Sequence, residues 1–117
     1  MEQLIYASAA RTATPTAVEV NTRRFRSVVV VLDATVHAVS AALTIVVDRK
    51  DNASGKYINM LTSASITAVS TNTIRVALGA PATANVSANE PLPTVIRIGV
   101  THGNANAVTY TVSAHLN

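Results

Sequence analysis

Hydrophobic and polar positions alternate along much of this 117-residue chain. The period is two, that of strands with one face on a core and one toward solvent. The pattern is cleanest near the carboxyl end: in "TVIRIGVT", Ile96, Ile98 and Val100 alternate with Arg97, Gly99 and Thr101. After "HGNANA", Val108, Tyr110, Val112, Ala114 and Leu116 alternate with Thr109, Thr111, Ser113 and His115, and the two runs are predicted to pair as a hairpin. In "ALTIVVDR", Leu43, Ile45 and Val47 share one face, and Thr44, Val46 and Asp48 the other. "KDNASG" interrupts the pattern and "KYINML" resumes it, which predicts a hairpin over residues 43–61 with a Gly-containing loop. Val28 to Leu32 is apolar at every position. That suits a strand covered on both faces, or one whose outer face meets another subunit.

Weaker signals fill the rest. "QLIYAS", "SASITAV" and "TIRVAL" are predicted strands, the last with Ile74, Val76 and Leu78 on one face and Arg75 and Ala77 on the other. Pro15 fixes its own φ and pushes Thr14 toward extended geometry. Residues 1–22 therefore read as an amino-terminal strand followed by an extended arm, Ala9 to Val20, whose deletion should leave the fold intact. "GAPATANVSANEPLP" lacks periodicity and must carry the chain from one side of the fold to another. The expected fold is all-β: an antiparallel β-sandwich of about seven or eight strands over residues 1–117, with jelly-roll connections as a candidate arrangement.

Composition strengthens the fold class. Val, Thr and Ile supply 39 of 117 residues, and these β-branched side chains suit a pleated, half-buried surface. The 20 alanines form no apolar stripe of helical period. Charged residues are only 13% of the chain and mean hydropathy is +0.32, so some surface is expected to be buried against other subunits or a partner. The net charge of +3 does not by itself imply nucleic acid. With no cysteine, disulfides and thiolate metal sites are excluded. The amino terminus, with Glu2 and no long apolar core, does not read as a secretory signal, and no apolar run is long enough for a membrane-spanning helix.

Candidate chemistry is sparse. The densest charge lies in "VDRKDNASGKY", where Asp48, Arg49, Lys50, Asp51, Asn52, Lys56 and Tyr57 form a candidate exposed hairpin tip. Asp48, Asp51 and Asn52 offer hard oxygens, but the donor spacing and distal Glu of a calcium loop are missing and two cations intrude. A turn made by Asp51, Asn52 and Gly55 is the better reading. A glycan site at this tip would use Tyr57 with Asp51, Asn52 and Lys56. His37, His102 and His115 are too scattered for a metal pair, and no phosphate loop or nucleophile elbow occurs. No cofactor is expected, and no enzymatic activity. Arg23, Arg24, Phe25 and Arg26 could contact phosphate and stack a base, but the lone aromatic and the absence of further basic runs argue against nucleic acid. Pairing with acidic groups of a neighbouring subunit, or a solvated lead-in to the Val28 strand, fits them better.

The segments "LIYASAARTATPTAVEV", "DRKDNASGKYINMLTSASIT", "IRVALGAPATANVSANEPLPTVIRIGVTHG" and "VTYTVSAHL" resemble a family of small virion proteins of tailed bacteriophages. The middle stretch "RRFRSVVVVLDATVHAVSAAL" matches only in apolar character. The resemblance implies a capsid decoration or cement protein, made in the bacterial host cytoplasm and bound to the outside of the head. It further implies the major capsid protein as partner and a homo-oligomer, with a trimer favoured. Candidate contacts to the capsid or a neighbouring subunit are then Arg11, Thr14, Pro15, Val18, Arg23, Arg24, Phe25 and Arg26. Two alternative roles stay open: a module binding a host surface or glycan through the hairpin tip and "HGNANA", and a neck or tail component.

Overall fold

A computed structural model describes the whole chain, Met1–Asn117. It contains nine strands and no helix: β1 (Glu2–Arg11), β2 (Val18–Asn21), β3 (Ser27–His37), β4 (Leu43–Lys50), β5 (Tyr57–Thr62), β6 (Ser70–Ala77), β7 (Ser87–Ala88), β8 (Val95–His102) and β9 (Val108–Leu116). They form a five-stranded sheet ordered β1-β9-β3-β6-β7 and a four-stranded sheet ordered β2-β8-β4-β5. All pairs are antiparallel except the short β6–β7 contact. The expected all-β sandwich is thus the observed architecture.

The pairing nests. β1 pairs with β9, β2 with β8, β3 with β6 and β4 with β5, so the chain behaves as one long hairpin folded over itself. Lateral pairs β9–β3 and β8–β4 then close each sheet. Between the sheets lie 23 buried apolar residues in one core. Alternation decides who enters it: Val28, Val30 and Leu32 are fully buried, while Val29 and Val31 on the outer face of β3 are half-buried between neighbouring strands. Val108, Tyr110, Val112, Ala114 and Leu116 of β9 are all buried, as are Ile96, Ile98 and Val100 of β8.

Four expectations are corrected. The two carboxyl-terminal strands are real, but they lie in opposite sheets and do not form a hairpin. Their apolar faces cover each other across the core, and the loop between them is held on the β3–β4 connection by Gly103 N–H to the Ala42 carbonyl (2.8 Å) and the Asn104 side chain to the Ser40 carbonyl (2.7 Å). "SASITAV" is a crossing segment held by an isolated bridge, Ile66 to Leu43, and at its start by Ser63, whose N–H donates to the Ile45 carbonyl (2.9 Å) and whose hydroxyl accepts from the Ile45 N–H (2.8 Å). Leu78 falls beyond the end of β6 and is 72% exposed, because the chain turns at Gly79 with φ of 89°.

The fourth correction concerns the arm. Residues 1–22 are the edge strands β1 and β2 and the crossing between them, built into the sandwich. Ile5, Tyr6 and Val20 belong to the core. The crossing is tied down where the Tyr6 hydroxyl donates to the Thr16 carbonyl (2.8 Å) and Thr14 Oγ1 accepts from the His102 N–H (2.9 Å). Gly99 of β8 makes room for it, since a Cβ there would come within 3.2 Å of Ala17 Cβ. Deleting residues 1–17 is therefore expected to abolish cooperative folding, seen as loss of a sigmoidal urea transition. Ile98→Ala, at a site with 0% exposure, should cost about 2–5 kcal/mol in the same measurement, and Leu78→Ala no more than about 0.5 kcal/mol.

Candidate functional site

The β4–β5 connection is a polar turn, as its residues predict. Asp51 accepts from Ser54 Oγ (2.6 Å) and from the Ala53 N–H (3.4 Å), and its carbonyl takes the Gly55 N–H (2.7 Å). Gly55 sits at φ of 72°, in the left-handed region where a side chain is strained. These hydrogen bonds hold the Asp51 carboxyl below its ordinary pKa, the Ser54 hydroxyl most of all. Asn52 and Lys56 are exposed. No group of three or more His, Cys, Asp or Glu side chains is close enough to hold a metal ion.

Asp48 and Lys50 do not belong to the tip. Alternation turns Asp48 and Lys50 onto the outer face of the four-stranded sheet, where they meet residues of every strand in it. Lys50 Nζ lies 3.1 Å from Glu19 Oε1 of β2, and the Tyr57 hydroxyl of β5 donates to the same oxygen. Arg97 of β8 bonds Asp48 Oδ2 (2.9 Å) and lays its guanidinium 3.7 Å from the Tyr57 ring centroid. Asn59 completes the set by donating to Asp48 Oδ1 (3.1 Å), which the register shift opposite Val47 and Asp48 allows.

The network neutralises itself. Hydrogen bonds from Tyr57 and then Lys50 hold Glu19 below the ordinary carboxylate pKa, and Glu19 in turn raises both Tyr57 and Lys50. Asp48, only 8% exposed, is matched by Arg97. One face of Tyr57 is occupied by Arg97, so the sugar-stacking geometry expected of Tyr57 is not open on that face. A hollow of about 250 Å³ adjoins the network, lined by Thr14, Pro15, Ala17, Val46, Arg97 and Gly99 among others. Glu19, Arg97 and Asn59 escaped the sequence reading; the visible signal was an isolated charge facing outward in each of "VEV" and "VIRIGV".

The candidate contact residues separate into two groups at opposite ends of the sandwich. Arg11, Thr14 and Pro15 lie where β1 meets the Val108 end of β9. Arg11 is spent internally: it donates to the carbonyls of Ala7 (2.7 Å), Tyr110 (3.1 Å) and Ala9 (3.2 Å), and covers the Tyr110 and Tyr6 rings at 4.7 and 5.4 Å. Burial raises the Tyr110 hydroxyl to about 12, and that hydroxyl meets His102 Nε2 at 2.9 Å. Burial, with Arg11 second, lowers His102, which keeps the ring neutral. Val18 is half-buried in β2 opposite Ile98.

Arg23, Arg24 and Arg26 stand exposed on the turn from β2 to β3, at the other end, and none forms an ion pair. Phe25 between them turns inward onto the core, so it is not a free stacking surface. The outer face of the five-stranded sheet carries a further groove of about 430 Å³, lined by Val29, Thr73, Arg75, Pro81, Thr83 and Val86 among others. No protein-family model matches the chain, and no curated protein or solved structure matches it.

Glu19 has the lowered pKa, so its contribution to stability is complete above the ordinary carboxylate range and disappears as pH falls through its folded value. Glu19→Gln should therefore lie below wild type in thermal midpoint near neutral pH. The gap should close between about pH 5 and pH 3, which paired melts across that range would measure.

Proposed function

We propose that this is a structural virion protein of a tailed phage, a decoration or cement protein bound to the outside of the head, where it reinforces capsomer contacts. The observation that carries the reading is the nested strand pairing. Counting the eight longer strands in chain order, the sheets run first-eighth-third-sixth and second-seventh-fourth-fifth, an order that supports a jelly roll, an architecture that recurs in viral capsid and lectin domains. Fold analogy alone does not assign function. The resemblance of four segments to small phage virion proteins supplies the second support, and the internal neutralisation of Asp48, Glu19, Lys50 and Arg97 the third.

In this role the protein works by surface alone. Many weak contacts repeated over a shell reinforce one another by multivalency and need no reactive group. The major capsid protein is the partner, and a trimer at local threefold positions is the oligomer this role favours. Imaging of whole virions, with density for this chain located, tests the reading directly. The expected result is density on the outer head surface at a copy number near that of the major capsid protein. About six or twelve copies at the neck, or density on the tail, would replace it with a connector role. Specific capture of a glycan by the purified chain would favour a host-binding module.

A further inference from the structure

Charge is distributed unevenly between the two ends of the sandwich. At one end, β2 finishes at Asn21 beside Val95, β4 finishes at Lys50, and β3 begins at Ser27 beside Ala77 and the carboxyl terminus. This end carries Arg23, Arg24, Arg26, Arg49 and Lys56, beside Lys50, which is paired with Glu19, and the turn carboxylate Asp51. None of the five has a carboxylate partner, and Arg49 Nε is buried with no hydrogen bond at all. At the opposite end, residues 35–44, 63–70 and 101–108 contain no Asp, Glu, Lys or Arg, and the one cation there, Arg11 beside Val108, is spent on the carbonyls of Ala7, Ala9 and Tyr110.

Three observations decide what could cover the basic end. A second copy of the chain matches it poorly: the chain carries nine Lys and Arg against six Asp and Glu, and of the six Glu19 and Asp48 are already ion-paired within the chain. The other four form no cluster: Glu2 lies beside His115, Asp33 on β3, Asp51 within the basic end itself and Glu90 between β7 and β8. Nucleic acid fits poorly, because Phe25 is folded onto the core and offers no ring to a base. Exposed Ile58 (54%) and Leu78 (72%), which phosphates would leave in water, sit at this same end. Arginine mixed with exposed aliphatic side chains is the composition of a protein interface.

We propose that this end, formed by the β2–β3 turn and the tip of the β4–β5 hairpin, docks onto a carboxylate-rich surface of a different protein. The inference rests on the reading as a head-binding protein, in which that surface belongs to the major capsid protein. Guanidinium groups pair with carboxylates through two parallel hydrogen bonds, so three adjacent arginines fix orientation as well as attraction. The opposite end, whose single cation Arg11 is bonded internally, then points away from the shell.

The test adds purified full-length chain to heads assembled without it, pellets the heads, and counts bound copies at low and high salt. The variant R23E/R24E/R26E is compared with Val39→Glu, which places a charge on the opposite end at a residue 91% exposed. The expected result is wild-type and Val39→Glu binding that weakens with salt, and a loss of at least about tenfold in affinity for the triple variant. Undiminished binding by the triple variant, or loss confined to Val39→Glu, overturns the docking surface and leaves the decoration reading standing. Failure of the wild type to bind heads overturns both. Tighter binding to duplex DNA than to heads, lost in the triple variant, reassigns the patch to phosphate and overturns the proposal. Equal thermal midpoints certify that the triple variant is folded; Arg24→Glu with Lys56→Glu serves in its place if they differ.

Discussion

The inward row of β9 has to be covered on one side by a whole sheet while its backbone is paired on both edges, and the rest of the sandwich is arranged around that demand. Val108, Tyr110, Val112, Ala114 and Leu116 are each no more than 2% exposed. β1 and β3 flank the strand and satisfy its backbone groups. The four-stranded sheet supplies Ile96, Ile98, Leu43, Ile45 and Val47 opposite. The single large polar group in this layer, the Tyr110 hydroxyl, could not remain without a partner at such burial. It meets His102, and Arg11 covers its ring from β1. An arginine on the opening strand thereby locks the first strand to the last, and the nested pairing of the chain follows from that closure.

This arrangement explains which parts of the fold could be read in advance. Period-two alternation reports the face a side chain takes, so the buried rows of β3, β4, β8 and β9 were legible residue by residue. Alternation says nothing about which strand lies alongside. The runs ending at Thr101 and beginning at Val108 have the signature of a hairpin, yet the same pattern serves equally when the two faces meet across a core. Leu78 continued the pattern on paper, but Gly79 turns the chain one residue too early. Arg11, Thr14 and Pro15 looked like an arm because Thr and Pro favour extended backbone. Extended backbone is also what an edge strand and its crossing require.

The candidate site divides along the same line. Asp51 and Gly55 were readable because a turn is local: the carboxylate, the Ser54 hydroxyl and the positive φ lie within five residues of each other. The network over the four-stranded sheet was not, because Glu19, Asp48, Tyr57 and Arg97 come from four strands separated by up to 78 positions. Only the order β2-β8-β4-β5 brings them onto one face. Asp48 looked like part of the tip and is instead its anchor.

A sandwich has edges, and the edges constrain how this chain can meet others. Unpaired strand edges invite further strands to add, which natural proteins prevent with short or bulged edge strands. Here β2 has four residues, β7 has two, and β1 is interrupted twice in its pairing with β9. β5 carries a register shift against β4, and the Asn59 side chain reaches back to the Leu61 carbonyl at 3.5 Å. Growth by strand addition is disfavoured on every edge. The flat face of the four-stranded sheet is closed by its own ion pairs. The outer face of the five-stranded sheet keeps a groove along Val29, Thr73 and Arg75, and the two ends of the sandwich differ in charge, so electrostatic complementarity distinguishes one end from the other. The distinguishing charge sits on the β2–β3 turn, whose three exposed arginines flank a phenylalanine that the core holds in place.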